Sequence, residues 1–348
     1  MRKKYNYPII GICVSNAQPS LQRLVKKRIH YFRSKATFIT FNIKDLNFRN
    51  SSVKGNYLEK NKGIWKKGTL PFPDVIYFQS HVDLNIVNKI KKVIGNKVFN
   101  TFTLDKLSER QLLAKSNRLQ QHLPNTKKVG NKIHLLIFLA EYKNIFLKPI
   151  YGSSSKGLIR VERQETGRII AMLRKNKTTM QKEEFKSYED FWKWFSNHFI
   201  IEDFMMQQGI QTMKWNGLAT DIRLNMNKNR KGLWEVSALL FRIASNTSHV
   251  IPGPLAVIPI AQLTRFGYEK EEIDQMEKTI KALGFKICTA LDLSEHHMAD
   301  LGIDLGFDKN GHLWIYEVNP LPHPIELVQE EYSLTRPIEY ALYLASRK

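Results

Sequence analysis

Asp304, Glu317 and Asn319 are the residues of this 348-residue chain whose types and spacing point most directly to chemistry. They lie within Leu301–Pro324, which reads as two short strands, Gly302–Phe307 and His312–Asn319, joined by Asp308-Lys309-Asn310-Gly311. An Asn-Gly pair closing such a tetrad is a hairpin signal, because both residues tolerate positive φ. Side chains alternate along a strand, so Glu317 and Asn319 share a face. If Phe307 pairs with His312, Ile315 lies opposite Asp304, and Asp304 joins that face. Two carboxylates and an amide suit a hard divalent cation that keeps waters and takes its other ligands from a phosphate. A merely solvated hairpin face could carry the same three residues.

A second group of candidates could hold an anion. In Asn144–Arg163, the apolar strand Ile145–Leu147 ends at Lys148, and the loop Gly152-Ser153-Ser154-Ser155-Lys156-Gly157 precedes a new strand over Leu158–Val161. Such a loop lets backbone N–H groups face a phosphate. It is not a Walker A loop, since Leu158-Ile159 stands where Lys-Ser/Thr would be and a strand follows instead of a helix. A flexible polar hairpin is the competing reading. Lys106 falls in the first turn of a helix expected over Asp105–Gln121 and closed by Leu123-Pro124. A cation there opposes the helix dipole, which a nearby anionic ligand would explain. Asp221 and Arg223 share a face of one strand, and after a turn at Asn227–Gly232 the next strand, Leu233–Phe241, ends at Arg242. Two arginines near the ends of adjacent antiparallel strands make either a phosphate clamp or a pair of ordinary ion pairs. Phe204-Met205-Met206 running into Gln207-Gln208-Gly209 gives an apolar strand with a polar exit, which suits a purine.

These groups need a scaffold. Residues 7–100 read as an α/β lobe, with buried strands over Ile9–Val14, Thr37–Ile43 and Val75–Phe78 and a helix over Gln18–Phe32. No Gly-x-Gly-x-x-Gly follows the first strand, so a dinucleotide fingerprint is absent. Ile170–Lys182 continues a strand pattern, and Tyr188–Phe199 is a helix whose aromatic residues serve packing. Glu269–Leu291 is an amphipathic helix with Gly284 as a mild interruption, and a terminal helical region begins at Pro337.

The net charge is +22, from 54 basic against 32 acidic residues. It favours an anionic partner, although the lysines are dispersed and no nucleic-acid-binding signature stands out. The two cysteines, Cys13 and Cys288, build no disulfide framework and no zinc-ligand spacing, which points to a reducing, cytosolic compartment. The run Pro8–Val14 after Arg2-Lys3-Lys4 reads as a first strand, since it lacks a signal-peptide cleavage pattern, and no apolar run is of membrane-spanning length.

Taken together the chain resembles the ATP-grasp superfamily and, more narrowly, the YheC/YheD group of endospore coat-associated proteins. The narrow likeness rests on Lys67–Tyr77, Leu147-Lys148-Pro149 with the Gly152–Gly157 loop, Gln207-Gln208-Gly209-Ile210, Asp221-Ile222-Arg223 and Leu301–Pro320. The resemblance implies an α/β, ATP-grasp fold with an N-terminal pre-ATP-grasp lobe (residues 1–100), a linker helix and lid (101–204) and a C-terminal subdomain with the metal site (205–348). It implies ATP and Mg2+ between lid and C-terminal lobe. Lys106 and Lys148 would contact phosphates, and Gly152, Ser153, Ser154, Ser155 and Gly157 would cover them. Met206, Gln207 and Gln208 would border the adenine, with Asp221 nearby. Asp304, Glu317 and Asn319 would hold the metal, and Arg223 and Arg242 would face the transferred phosphoryl group. Relatives carry an acidic residue at the hinge where Gln207-Gln208 stands here, and a double glycine that is missing from Ser245–Pro254. The implied activity is ATP-dependent joining of a carboxylate to an amine, in a cytoplasmic or spore-associated setting. Its rivals are a catalytically silent nucleotide-binding coat protein and a binder of nucleic acid or another anionic polymer.

Overall fold

The computed structural model describes residues 7–15, 32, 35–59, 63–101, 105–151, 157–174, 180–244, 254–322 and 331–347. The helix expected over Gln18–Phe32, except Phe32, lies outside these residues, as do positions 152–156 of the glycine-serine loop and 245–253 of the Ser245–Pro254 segment.

Three sheets carry the architecture, an α/β arrangement as expected. The first contains β1 (Ile9–Val14), β2 (Thr37–Phe41), β3 (Leu46–Asn47), β4 (Ser52–Glu59), β5 (Ile64–Pro71), β6 (Val75–Gln79) and β7 (Val98–Phe99). Its order is β3-β4-β2-β1-β6-β7, with β5 attached to β4. β1 pairs in parallel with β2 and β6, and every residue of its IIGICV run is buried. A continuous apolar run is what a strand covered on both faces requires. The helix Leu84–Ile94, capped by Asp83 and ended by Gly95 at φ +66, covers one side through Val87 and Ile90. The other side is covered by the C-terminal helix Glu331–Ser346, whose Ile338, Ala341 and Leu344 join the core of Ile10, Ile12 and Val75. That helix extends on both sides of Pro337, so its start precedes the proline from which it was expected to begin.

The second sheet holds β8 (Thr126–Lys128), β9 (Asn144–Pro149), β10 (Ile159–Arg163), β11 (Ile169–Arg174), β12 (Met180–Phe185) and β13 (Phe204–Gln208), in the order β12-β11-β10-β9-β13-β8. Helices Lys132–Tyr142 and Tyr188–His198 cover one face with an aromatic core that includes Phe138, Phe191 and Phe195. The third sheet holds β14 (Lys214–Trp215), β15 (Leu218–Lys228), β16 (Trp234–Ala244), β17 (Pro254–Pro259), β18 (Asp300–Phe307) and β19 (Leu313–Asn319). Its order is β17-β16-β15-β18-β19, with β14 on β15. The long helix Lys270–Asp292 packs across it, started by a capping box between Glu269 and Glu272. Gly284 is more than an interruption: a Cβ there would stand 2.5 Å from Leu224 Cδ2, so its bare α-carbon lets helix and sheet approach.

Two further expectations need correction. The helix over Asp105–Gln121 is broken: Lys106–Ala114, capped by the Asp105 carboxylate, is followed by a separate short turn at Asn117–Gln120. In the hairpin, Phe307 pairs with Leu313, not His312, and Ile315 lies opposite Leu305. A β-bulge at Tyr316 then brings Glu317 directly opposite Asp304. The shared face survives because the bulge absorbs the one-residue slip. The turn is pinned by the Asp308 carboxylate, which accepts from the Asn310 and His312 N–H groups and from Trp314 Nε1.

The first and third sheets meet through buried polar side chains. Asp300 accepts from Tyr77 Oη and, at 2.8 Å, from Asn227 Nδ2. Asn100, at φ +57, donates to the carbonyls of Asp300 and Pro320 and accepts from the N–H groups of Ala299 and Asp300. Replacing it strands several buried backbone groups, at roughly 1–3 kcal/mol. Asn100→Ala is therefore expected to lower the urea midpoint by that free energy divided by the unchanged slope, and a midpoint equal to wild type would contradict this junction.

Candidate functional site

The open face of the second sheet and the face of the third sheet away from the long helix enclose a cavity of about 730 Å³. That is ample for a nucleotide-sized ligand. One wall carries Phe146, Lys148, Met205 and Gln207; the other carries Asp221, Arg242, Asp304, Tyr316 and Glu317; Lys106 and Glu109 reach it from the helix Lys106–Ala114.

On the third sheet the cross-strand register sets the site. Arg242 stands opposite Asp221, Arg223 opposite Asp304, and Asp304 opposite Glu317. Arg242 grips Asp221 in a fork, Nε to Oδ1 at 2.5 Å and Nη2 to Oδ2 at 2.8 Å. Arg242 Nη2 and Arg223 Nη1 both donate to Asp304 Oδ1, at 2.9 and 2.8 Å. Burial pushes the Asp304 carboxyl up, but Arg242 and Arg223 outweigh it and hold it below the usual carboxylate range. Asp304 Oδ2 accepts no hydrogen bond among the described residues, nor does the Glu317 carboxylate. Asn319 uses Oδ1 to accept from Leu321 N–H at 2.9 Å.

This donor set fits a magnesium ion. The described residues contain no group of three or more His, Cys, Asp or Glu that could hold a metal by themselves. A cation beside Asp304 and Glu317 would draw on these two carboxylates, water and ligand oxygens, the mixture that magnesium takes beside a phosphate, whereas Asn319 is outside the cavity lining.

The opposite wall is cationic. Lys148 Nζ donates to Gln207 Oε1 at 2.5 Å, and Gln207 Nε2 donates to Thr126 Oγ1 at 3.0 Å. Burial, with Arg110 and Lys106 adding to it, pushes the Lys148 ammonium down to about 8, against the pull of Glu317 and Glu109. Lys106 Nζ lies 3.4 Å from the carbonyl of Pro149, the residue after Lys148. Glu109 accepts from Val318 N–H at 3.0 Å, and Arg110 donates to the carbonyls of Ile315 (2.7 Å) and Tyr316. The helix that presents Lys106 is thus tied to the strand that presents Glu317. Burial first, and then the nearness of Glu317, pushes the Glu109 carboxyl up to about 7 despite Arg110.

The structure brings Lys106, Lys148, Gln207, Gln208, Asp221, Arg242, Asp304 and Glu317 to this one cavity. Asn319 sits two residues beyond Glu317 on the same strand. Met206 packs its side chain into the second sheet's core, while its neighbour Met205 lines the cavity. Arg223 is only 6% exposed and lies beneath Asp304, outside the cavity lining. Gly152, Ser153, Ser154 and Ser155 fall outside the described residues. Gly157 is described, at φ +73, where a Cβ would come within 2.9 Å of Pro149 Cγ. Sequence reasoning missed Glu109, Arg110 and Tyr316. The available signal was an acidic-basic pair one turn after Lys106, and an odd residue spacing in the hairpin.

Two sheets that enclose a cavity, with a lysine on one facing carboxylates on the other, fit an ATP-grasp fold. More narrowly, the chain belongs to the YheC/D-like ATP-grasp family, whose model matches residues 95–344. It is similar to the endospore coat-associated protein YheD of Bacillus subtilis (strain 168), with 26% identity over 98% of this chain and 79% of that protein. YheC of the same organism is 22% identical over 89% of each chain. Among solved structures, N5-carboxyaminoimidazole synthetase from Staphylococcus aureus complexed with ADP aligns at a TM-score of 0.60 and 12% identity, over 100% of this chain and 80% of that one. D-alanyl-alanine synthetase A from Vibrio cholerae O1 aligns at 0.56 and 11%, over 98% and 97%.

The lowered pKa of Lys148 gives a signed expectation. Its charge is present below about pH 8 and lost above, and a bound phosphate oxygen would favour the charged form. Binding of ADP near pH 8 should therefore take up a proton, and affinity should fall as pH rises past that point. Calorimetry in buffers of different ionisation heat reads the uptake. Affinity that stays flat through this range would contradict the assignment.

Proposed function

We propose that the chain binds ATP with Mg2+ in this cavity and activates a carboxylate as an acylphosphate, which an amine then captures. The observation that carries the reading is the single cavity in which Lys106 and Lys148 face Asp304 and Glu317. In-line phosphoryl transfer asks a protein mainly for positioning and charge neutralisation, and these are the groups that supply both. Lys148 and Lys106 would bind phosphate oxygens, under a cover formed by Gly152, Ser153, Ser154, Ser155 and Gly157. The adenine would lie along β13 at Met206, Gln207 and Gln208, with Phe146 and Met205 as apolar wall and Asp221 nearby. Magnesium, held by Asp304, Glu317 and Asn319, would neutralise the phosphates and orient them.

Arg242 lines the cavity and would meet the charge that develops on the transferred phosphoryl group. Arg223 would act one layer below, keeping Asp304 charged and oriented. Attack of the carboxylate oxygen on the γ-phosphorus forms the acyl–phosphate bond and expels ADP. The amine then displaces inorganic phosphate and loses one proton. That the structural neighbours are synthetases and that one of them holds ADP support this reading, and the coat-associated relatives support a role in spore coat formation.

Calorimetric titration with ADP and Mg2+ tests the nucleotide half of the proposal. Lys148→Ala is expected to weaken binding about tenfold or more, the worth of a charge-assisted hydrogen bond. Glu317→Gln should remove most of the gain that Mg2+ gives over metal-free ADP. Absence of binding to the wild-type chain at millimolar ADP would refute the site. Steady ADP release with carboxylate and amine present tests the ligase half, and binding without any release would favour a silent coat protein.

A further inference from the structure

The sequence around Asp304 reads Gly302-Ile303-Asp304-Leu305-Gly306, which puts a glycine two residues to either side of it on the same face of β18. Neither glycine adopts a positive φ, so backbone conformation does not explain them. Their surroundings do. A Cβ on Gly302 would overlap Nη2 and Cζ of Arg223 and come within 2.9 Å of Nε. A Cβ on Gly306 would overlap the Tyr316 hydroxyl and stand 2.5 Å from Cε2. Arg223 reaches across from β15, where Asn225 faces Gly302, and its Nε donates to Asn225 Oδ1 at 3.0 Å. Its guanidinium is thus laid flat over a bare α-carbon, with Asn225 at one end and Asp304 at the other. Tyr316, the bulge residue of β19, rests on Gly306, and its buried hydroxyl has no hydrogen-bond partner among the described residues. Packing on the glycine, and not a hydrogen bond, holds that ring.

We propose that Gly302 is a positioning residue. Its missing side chain is the slot that lays Arg223 against Asp304 Oδ1, which leaves Oδ2 turned to the cavity. Gly306 does the same for Tyr316 on the other side. Any β-carbon at position 302 would push the guanidinium off Asp304 and break the arrangement from beneath. The importance of the slot for magnesium rests on the nucleotide reading above; the slot itself does not.

The test is a cycle of three variants, Gly302→Ala, Arg223→Ala and the double. In wild type, Arg223 is covered and should resist phenylglyoxal, followed by peptide mass spectrometry. In Gly302→Ala its modification should speed up at least about tenfold, as expected when a covered group is freed. Gly306→Ala should leave Arg223 protected. Gly302→Ala should lower the melting temperature, whereas the double variant should melt within about 2 °C of Arg223→Ala alone, since the clash has gone. If Gly302→Ala does not fold but the double variant does, the slot is equally supported. Arg223 still protected in Gly302→Ala, or a Gly302→Ala loss that persists in full without Arg223, would overturn the proposal. These readouts use no nucleotide, so they separate failure of the slot from failure of the nucleotide site. For the link between them, Gly302→Ala should weaken MgADP at least about tenfold, a loss comparable to that of a charge-assisted hydrogen bond, while sparing metal-free ADP. Equal losses in both would mean that Arg223 does not act through Asp304.

Discussion

Everything in this site depends on keeping Asp304 ionised while most of it is covered. A buried carboxylate is stable only if its charge is answered by well-placed donors. Here two guanidinium groups from two neighbouring strands converge on one of its oxygens, and the second oxygen accepts no hydrogen bond among the described residues. Arg242 is itself neutralised by Asp221, so the four side chains form a closed set of two positive and two negative charges. The other oxygen, with Glu317 on the facing strand, is the one the proposed cation would meet.

The facing wall has the complementary problem. Lys148 is buried enough that its ammonium is destabilised, and Gln207, oriented by Thr126, is its only direct hydrogen-bond partner among the described residues. An anion beside Lys148 and a cation beside Asp304 and Glu317 would relieve both walls together, which supports the proposed metal–phosphate pair. The walls belong to different sheets, and Glu109 and Arg110, which bond the backbone of β19 from the helix that also presents Lys106, hold that lysine in place relative to the third sheet. Asn100 and Asp300 join the third sheet to the first in the same way, with buried polar groups that are fully used.

Much of this was legible in the sequence because it is local. Alternation along β19 puts Glu317 and Asn319 on one face, apolar runs mark β1 and β6, and spacing marks the long helix. Lys148 at the end of an apolar strand was equally plain. What was not legible depends on contacts distant in sequence or on a break in regularity. The bulge at Tyr316 shifts the hairpin register by one residue, and strict alternation cannot foresee it. Met205 rather than Met206 lines the cavity because the frame of β13 is set by its pairing with β9. Arg110 reads as one more surface arginine until the helix is seen against β19. Gly302 and Gly306 gave a visible pattern, yet its meaning lies in Arg223 and Tyr316, residues of neighbouring strands.

The most direct measurement of the central claim is a crystal grown with ADP and Mn2+, examined for anomalous scattering. A manganese peak is expected between Asp304 and Glu317, with an ADP phosphate between it and Lys148. A peak elsewhere, or ADP bound with Asp304 still facing only its arginines, would contradict it.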